Sequence, residues 1–274
     1  MIELPEAKII AANLRKEIVG KKVVRVSGNF TDHKFTFYSG DPNKYAEYLE
    51  GKEVTKVNDR NFYVEIEMTD YKLIMRDGAN IRYYDKLDKI PPKSKLMLVF
   101  NDGSCLNVTT SMYCMIYVFN KNEGIENKYY NMELNGIGPL DADFTTSYFK
   151  SLINDSTLKL SLKAFLATEQ RILGIGNGVV QDILFNARMR PKRKLNTLSS
   201  EEVFVLYEAV IATLVEMVVN GGRDSEKNIY GVSGGYKTVL SSKNYKDDCP
   251  VCRGKITKES YLGGSIYYCA NCQK

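Results

Sequence analysis

Four cysteines in the last 26 residues constrain this chain more than any other feature. They read Cys249-x2-Cys252, sixteen intervening residues, then Cys269-x2-Cys272. Each CxxC turn aims two sulfurs at one point, and two such turns on a hairpin complete a tetrahedron, the spacing of a four-thiolate zinc site. Gly254, Gly263 and Gly264 mark turns, and Tyr261, Tyr267 and Tyr268 suit strands. A unit this small cannot bury enough apolar surface to fold alone, so bound metal supplies the missing free energy. Disulfides are the competing use of four cysteines and are disfavoured in a reducing compartment. With four thiolates the ion has no open position, so its role is structural. Cys105 and Cys114 lie in apolar, strand-like runs and are expected in a core.

The remaining chain is long enough for more than one domain: 274 residues at one domain per roughly 100–200. No apolar run approaches the length of a membrane span, and MIELPEAKII lacks the apolar stretch of a secretory signal, so a cytoplasmic protein is expected. Net charge is +5, unevenly spread. Residues 1–146 carry 20 basic and 21 acidic side chains, whereas residues 147–274 carry 18 and 12. A basic second half suits a polyanionic partner, although it is also compatible with an ordinary solvated surface.

Residues 6–19 place Ile10, Leu14 and Ile18 on one helical face behind Pro5, which fits a helix start. From about 22 to 120, runs such as KVVRVSGNF, FYVEIEM and LMLVF are separated by Gly, Asn and Asp at hairpin intervals. This predicts an antiparallel sandwich or barrel entered by one helix. Residues 121–145 are polar and Gly-rich, as in a connection. Helical patterns follow over 160–173 and 179–188, broken by GIGNG at 174–178. Ser199 and Ser200 then cap a long apolar helix over 201–219, and 223–248 reads as loop. A glycine turn opening a helix presents backbone N–H groups and the positive helix end, a good phosphate site to which Asn177 adds a donor. A plain turn between helices has the same pattern. Arg188, Arg190, Lys192, Arg193 and Lys194 follow at once and fit a nucleic-acid footprint, or simply a solvated charge run. His33, the sole histidine, is expected in an exposed turn, so no Ser-His-Asp or Cys-His machinery is available.

Three segments in this order, MIELPEA, FLATEQRILGIGNGVVQDILFNARMRP and CPVCRGKITKESYLGGSIYYCANCQK, resemble the formamidopyrimidine-DNA glycosylase / endonuclease VIII family over nearly the whole chain. The resemblance implies an α+β multidomain fold: an N-terminal β-sandwich with a leading helix (1–125), a linker (126–145), a helix–two-turn–helix domain (146–245) and a zinc-finger β-hairpin (246–274). It implies one structural Zn2+ on the four cysteines, and a monomer that takes double-stranded DNA, damaged or abasic, without a membrane role. In the family, an N-terminal proline amine attacks C1′ of an extruded nucleotide and forms a Schiff base. An α-amine suits this because its reference pKa of about 8 lies well below lysine's. Carried over, Glu3 is the acid/base and Glu6 sits near the sugar. Gly174, Gly176 and Asn177 contact backbone phosphate, and Tyr236 and Lys237 meet phosphate or the flipped base.

The sequence departs from the pattern at four positions. Ile2 stands where the proline would be, and its bulk should leave Met1 in place. Asn61 takes the position of a phosphate-binding lysine, Met112 lies near that of a base-replacing arginine, and Gly264 takes that of the hairpin arginine. Together these predict a protein that binds damaged or abasic duplex DNA with altered or absent catalysis. One alternative is an active bifunctional DNA glycosylase/AP lyase using the N-terminal amine of Ile2 or Met1 with Glu3. A second is a zinc-stabilised protein–protein adaptor.

Overall fold

A computed structural model describes residues 1–28, 34–86 and 93–274. The expectation for His33 lies outside the described residues. The chain divides into two compact units, residues 1–134 with 226–234, and residues 135–225 with 235–274.

The first unit opens with α1 (Leu4–Ile18). Its apolar stripe, Ala7, Ile10, Ala11, Leu14 and Ile18, is buried, as the 3.6-residue period requires. Strands β1 (Val23–Ser27) and β2 (Thr36–Tyr38) follow, then α2 (Tyr45–Leu49), β3 (Val54–Arg60), β4 (Tyr63–Met68), β5 (Tyr71–Tyr84), β6 (Ser94–Phe100) and β7 (Cys105–Asn120). They form one sheet in the order β1-β6-β7-β5-β4-β3, antiparallel throughout, with β2 added parallel to β7. The two ends of that order meet. Lys22 bridges Glu53, and the Val23 N–H donates to the Lys52 carbonyl at 2.9 Å. Val23 and Val26 at one end share a core with Val54 and Val57 at the other, and with α1. This contact shields the first residues of both edge strands, where backbone groups would otherwise be unpaired. This is the expected β-domain entered by one helix, with Cys105 and Cys114 buried in it.

The polar 121–145 stretch contains a helix, α3 (Lys128–Asn135), despite few apolar residues. Tyr130 anchors it in the first unit, its ring edge-on to Tyr63 and its hydroxyl donating to the buried Glu65 carboxylate. Glu133 is also buried, near Arg76, and burial pushes its carboxyl up to about 8. Residues 226–234, read from sequence only as loop, complete the same core. Ile229 is fully buried, its carbonyl accepts from the Tyr83 N–H, the Tyr230 hydroxyl donates to Glu17, and Arg82 donates to the Asn228 carbonyl.

The second unit carries α4 (Thr146–Ser151), α5 (Leu162–Ala167), α6 (Val179–Asn186), α7 (Ser200–Val219) and the hairpin β8 (Ile256–Tyr261) and β9 (Gly264–Cys269). Ser199 caps α7 in a reciprocal box with Glu202, as its sequence signalled. The helix expected over 160–173 is shorter than its pattern. It stops at Ala167 because Glu169 and Gln170 take left-handed backbone angles, φ 56° and 52°. The apolar residues beyond, Ile172, Leu173 and Ile175, are buried through this turn rather than along a helix face.

Candidate nucleic-acid interface and metal centre

In the second unit the glycine elbow and the cysteine hairpin are built against each other. Gly174 takes φ 76°, a left-handed turn natural to glycine, and reverses the chain before α6. Gly176, Asn177 and Gly178 are half-exposed at the start of that helix. The Asn177 amide donates to the Ser265 carbonyl at 3.3 Å. One turn on, Gln181 donates to the same carbonyl at 3.1 Å and accepts from the Tyr267 N–H. The i, i+4 spacing puts both side chains on the face that meets β9. Gly264 makes this approach possible, because a Cβ there would sit 3.2–3.3 Å from the Asn177 amide group. Gln181 and the fully buried Asp182 were not singled out from sequence, where a polar pair on an apolar helix gives no sign of its partner. Asp182 accepts from the Val239 and Leu240 N–H groups, and burial pushes its carboxyl up to about 6.

The basic run is largely engaged within this unit. Arg190 donates to the Gln273 and Ala270 carbonyls, both at 2.9 Å, tying the chain end to α6. Arg193 forms a two-pronged pair with Glu202, and Lys192 pairs with Glu259. Arg188 is exposed. Tyr236 is buried beside Asp182, whereas its neighbour Lys237 is open to solvent near Asp224.

The four cysteine sulfurs lie within 4.8 Å of one another. Cys249 and Cys272 are 3.7 Å apart, and Cys252 and Cys269 are 3.4 Å apart. Tetrahedral zinc with Zn–S of about 2.3 Å requires S···S separations of about 3.8 Å, so the cluster fits such an ion. The Gly254 N–H and the Asn271 amide both point at the Cys252 sulfur, as donors that stabilise a thiolate.

In the first unit, Glu3 and Glu6 occupy the N-terminus of α1, both buried. Glu3 is the cap residue and Glu6 lies three residues on. Each carboxylate accepts from the other's backbone N–H, the Glu6 contact being 3.3 Å. Carboxylates suit this end because the helix dipole is positive there. Ile2 is buried in the core, and its N–H donates to the Asp77 carbonyl at 2.7 Å. The Met1 amine meets the Glu226 carboxylate at 2.5 Å. Glu226, far along the chain, meets the amine next to Ile2, Glu3 and Glu6, a partner that the sequence does not signal. Asn61 sits with φ 50° at the turn between β3 and β4, where its short side chain tolerates the left-handed angle.

Two family models match the chain. The N-terminal domain of formamidopyrimidine-DNA glycosylase matches residues 1–111, and its H2TH domain matches residues 136–228. Among curated relatives, the formamidopyrimidine-DNA glycosylases of Cytobacillus firmus and Listeria monocytogenes are each 26% identical, with 100% of both chains covered. Among solved structures, the MutM (Fpg) protein of Thermus thermophilus superposes with a TM-score of 0.81 at 21% identity, covering 99% of this chain and 98% of that one. The Lactococcus lactis Fpg in complex with abasic-site DNA gives 0.83 at 21% identity, covering 99% of each.

Proposed function

The chain belongs to the formamidopyrimidine-DNA glycosylase / endonuclease VIII family, and from that premise we propose that it binds damaged or abasic duplex DNA without the family's usual chemistry. The joined elbow and hairpin carry the binding half of this reading. Gly174, Gly176 and Asn177 offer a turn and a helix start to a phosphate, with Arg188 and Lys237 as exposed cations. Zn2+ on Cys249, Cys252, Cys269 and Cys272 holds the hairpin against Asn177, and the ion supplies folding energy rather than reactivity. The division expected from sequence, 1–125, 126–145, 146–245 and 246–274, is part of the same reading, as are a monomeric state and a cytoplasmic setting. Among the described residues no helix is long and apolar enough to cross a membrane.

The altered chemistry rests on the first unit. A Schiff base needs a free, neutral amine. Here the Ile2 nitrogen is a peptide N–H committed to Asp77, and the Met1 amine is engaged by the Glu226 carboxylate. Glu3 and Glu6 support the helix end whatever else they do. The test is to incubate zinc-loaded protein with an abasic-site duplex, with and without borohydride. Binding that weakens with salt and leaves no cross-link is expected. A borohydride-trapped adduct would instead favour the active bifunctional enzyme. Absence of any DNA binding would favour the protein–protein adaptor.

A further inference from the structure

Helix α7 is apolar on both its sides, but only one side is covered. Leu206, Val210, Leu214 and Met217 are buried, and α4 and α6 pack against the helix. The opposite side stays in solvent: Phe204 is 48% exposed, Val205 45%, Val215 43% and Val219 79%, with Ala212 exposed among them. A helix apolar all round is ordinarily buried, in a core or in a membrane. The membrane does not apply, because among the described residues no helix is long and apolar enough to cross one. The outer side chains fall into two adjacent rows at the i, i+4 spacing that places them one above another. Ile211, Val215 and Val219 make a wholly apolar row, and Phe204, Glu208, Ala212 and Glu216 make a row that alternates apolar and acidic. Phe204 is backed by Tyr207, ring centroids 6.3 Å apart, and Tyr207 stacks on Phe144 and donates its hydroxyl to the Phe144 carbonyl at 3.0 Å.

Single exposed apolar residues are ordinary, but a contiguous stripe along a helix marks a contact surface. Charge selects its occupant. α7 carries Glu201, Glu202, Glu208 and Glu216 and neither Lys nor Arg, within a half of the chain where basic side chains outnumber acidic ones 18 to 12. Such a row repels nucleic-acid phosphate and anionic lipid headgroups. A second copy is also disfavoured: a two-fold interface pairs a surface with itself, so the glutamates of one α7 would meet those of the other. We propose that the outer face of α7 docks a basic amphipathic helix of a partner protein. The partner's apolar residues pack on Phe204, Ile211, Val215 and Val219, and its Lys or Arg side chains meet Glu208 and Glu216. Rows at this spacing interdigitate with those of a second helix, and small Ala212 lets it approach. The inference goes beyond DNA binding and does not depend on it.

The test uses the full-length, zinc-loaded protein and fluorescent peptides of about 18 residues, long enough for a docked helix. One is an amphipathic Lys/Leu helix, one has the same composition scrambled to remove its apolar face, and one is the same amphipathic pattern in Glu and Leu. Fluorescence anisotropy should show binding of the Lys/Leu helix alone. Phe204→Ala and Val215→Glu should each weaken it about tenfold or more. Glu208→Lys with Glu216→Lys should transfer the preference to the Glu/Leu helix, whereas Glu123→Lys, an exposed charge reversal in the first unit, should change nothing. Thermal unfolding checks that each variant is folded, and the charge-reversed protein keeps the test decisive should Val215→Glu not be. Equal binding of the scrambled peptide, indifference to the α7 substitutions, or no binding of any peptide would overturn the proposal. So would a dimer in sedimentation that Phe204→Ala dissolves, which would assign the face to a second copy of this chain.

Discussion

The cysteine hairpin and the N-terminal end of α1 hold comparable sets of chemically capable residues, yet they carry different amounts of information. The hairpin's four thiolates have one efficient use at that spacing, and their sulfurs converge on it. The N-terminal carboxylates have two uses that look alike in sequence. Glu3 and Glu6 cap α1 reciprocally, a job they would perform whether or not a reaction occurs beside them. A motif is therefore most decisive where no structural role competes for its residues.

The sharpest way to break this contrast is at the metal. Cys269→Ser, or strong chelation, should unfold residues 249–274, release one zinc per chain in a metal assay, and expose the segment to protease. Zinc-finger units draw on the order of 10 kcal/mol from their ion, so no partial effect is expected. Retention of the hairpin after metal removal would place it in the same ambiguous class as the N-terminus.

Next in size is a pH effect in the first unit. Glu133 has its carboxyl raised to about 8 in the fold by burial, against a reference of 4.5. Between those values the folded state keeps a proton that the unfolded chain releases. Stability contributed by the neutral form is therefore full below about 4.5 and is lost as pH rises through about 8. Glu133→Gln should flatten that decline in denaturant melts taken across the range. An unchanged slope would show that α3 does not hold this carboxyl neutral.

Smaller still, Glu3→Ala should cost about 1–2 kcal/mol in unfolding free energy through loss of the cap. A variant that kept full stability would free Glu3 from its structural duty and strengthen a catalytic one. Last, Gly264→Ala should cost about 1 kcal/mol by crowding Asn177. Asn177→Ala should relieve that cost, giving a non-additive cycle.

What could be read from the sequence follows the same logic. The leading helix, the strand-rich first half, the capped α7 and the metal hairpin all announce themselves through period, capping residues or ligand spacing. The features that escaped depend on partners distant in the chain. Tyr130 gives α3 its anchor only because Glu65 waits beneath it. Gln181 matters because Ser265 and Tyr267 arrive alongside. Arg190 and Arg193 read as a charged footprint, but most of their donors go to the protein's own carbonyls and to Glu202. The helix expected over 160–173 ends early because two residues with no turn signature adopt left-handed angles.

The short stretch 226–234 has a practical consequence. Because it lends Ile229 and Glu226 to one compact unit while its flanks belong to the other, the polypeptide passes between the units three times. A single cut after residue 134 would liberate neither half. An expression fragment ending there would lack a plug for its own interior and the carboxylate that meets its first amine. Dissection into autonomous pieces should therefore fail unless that nine-residue stitch is grafted back.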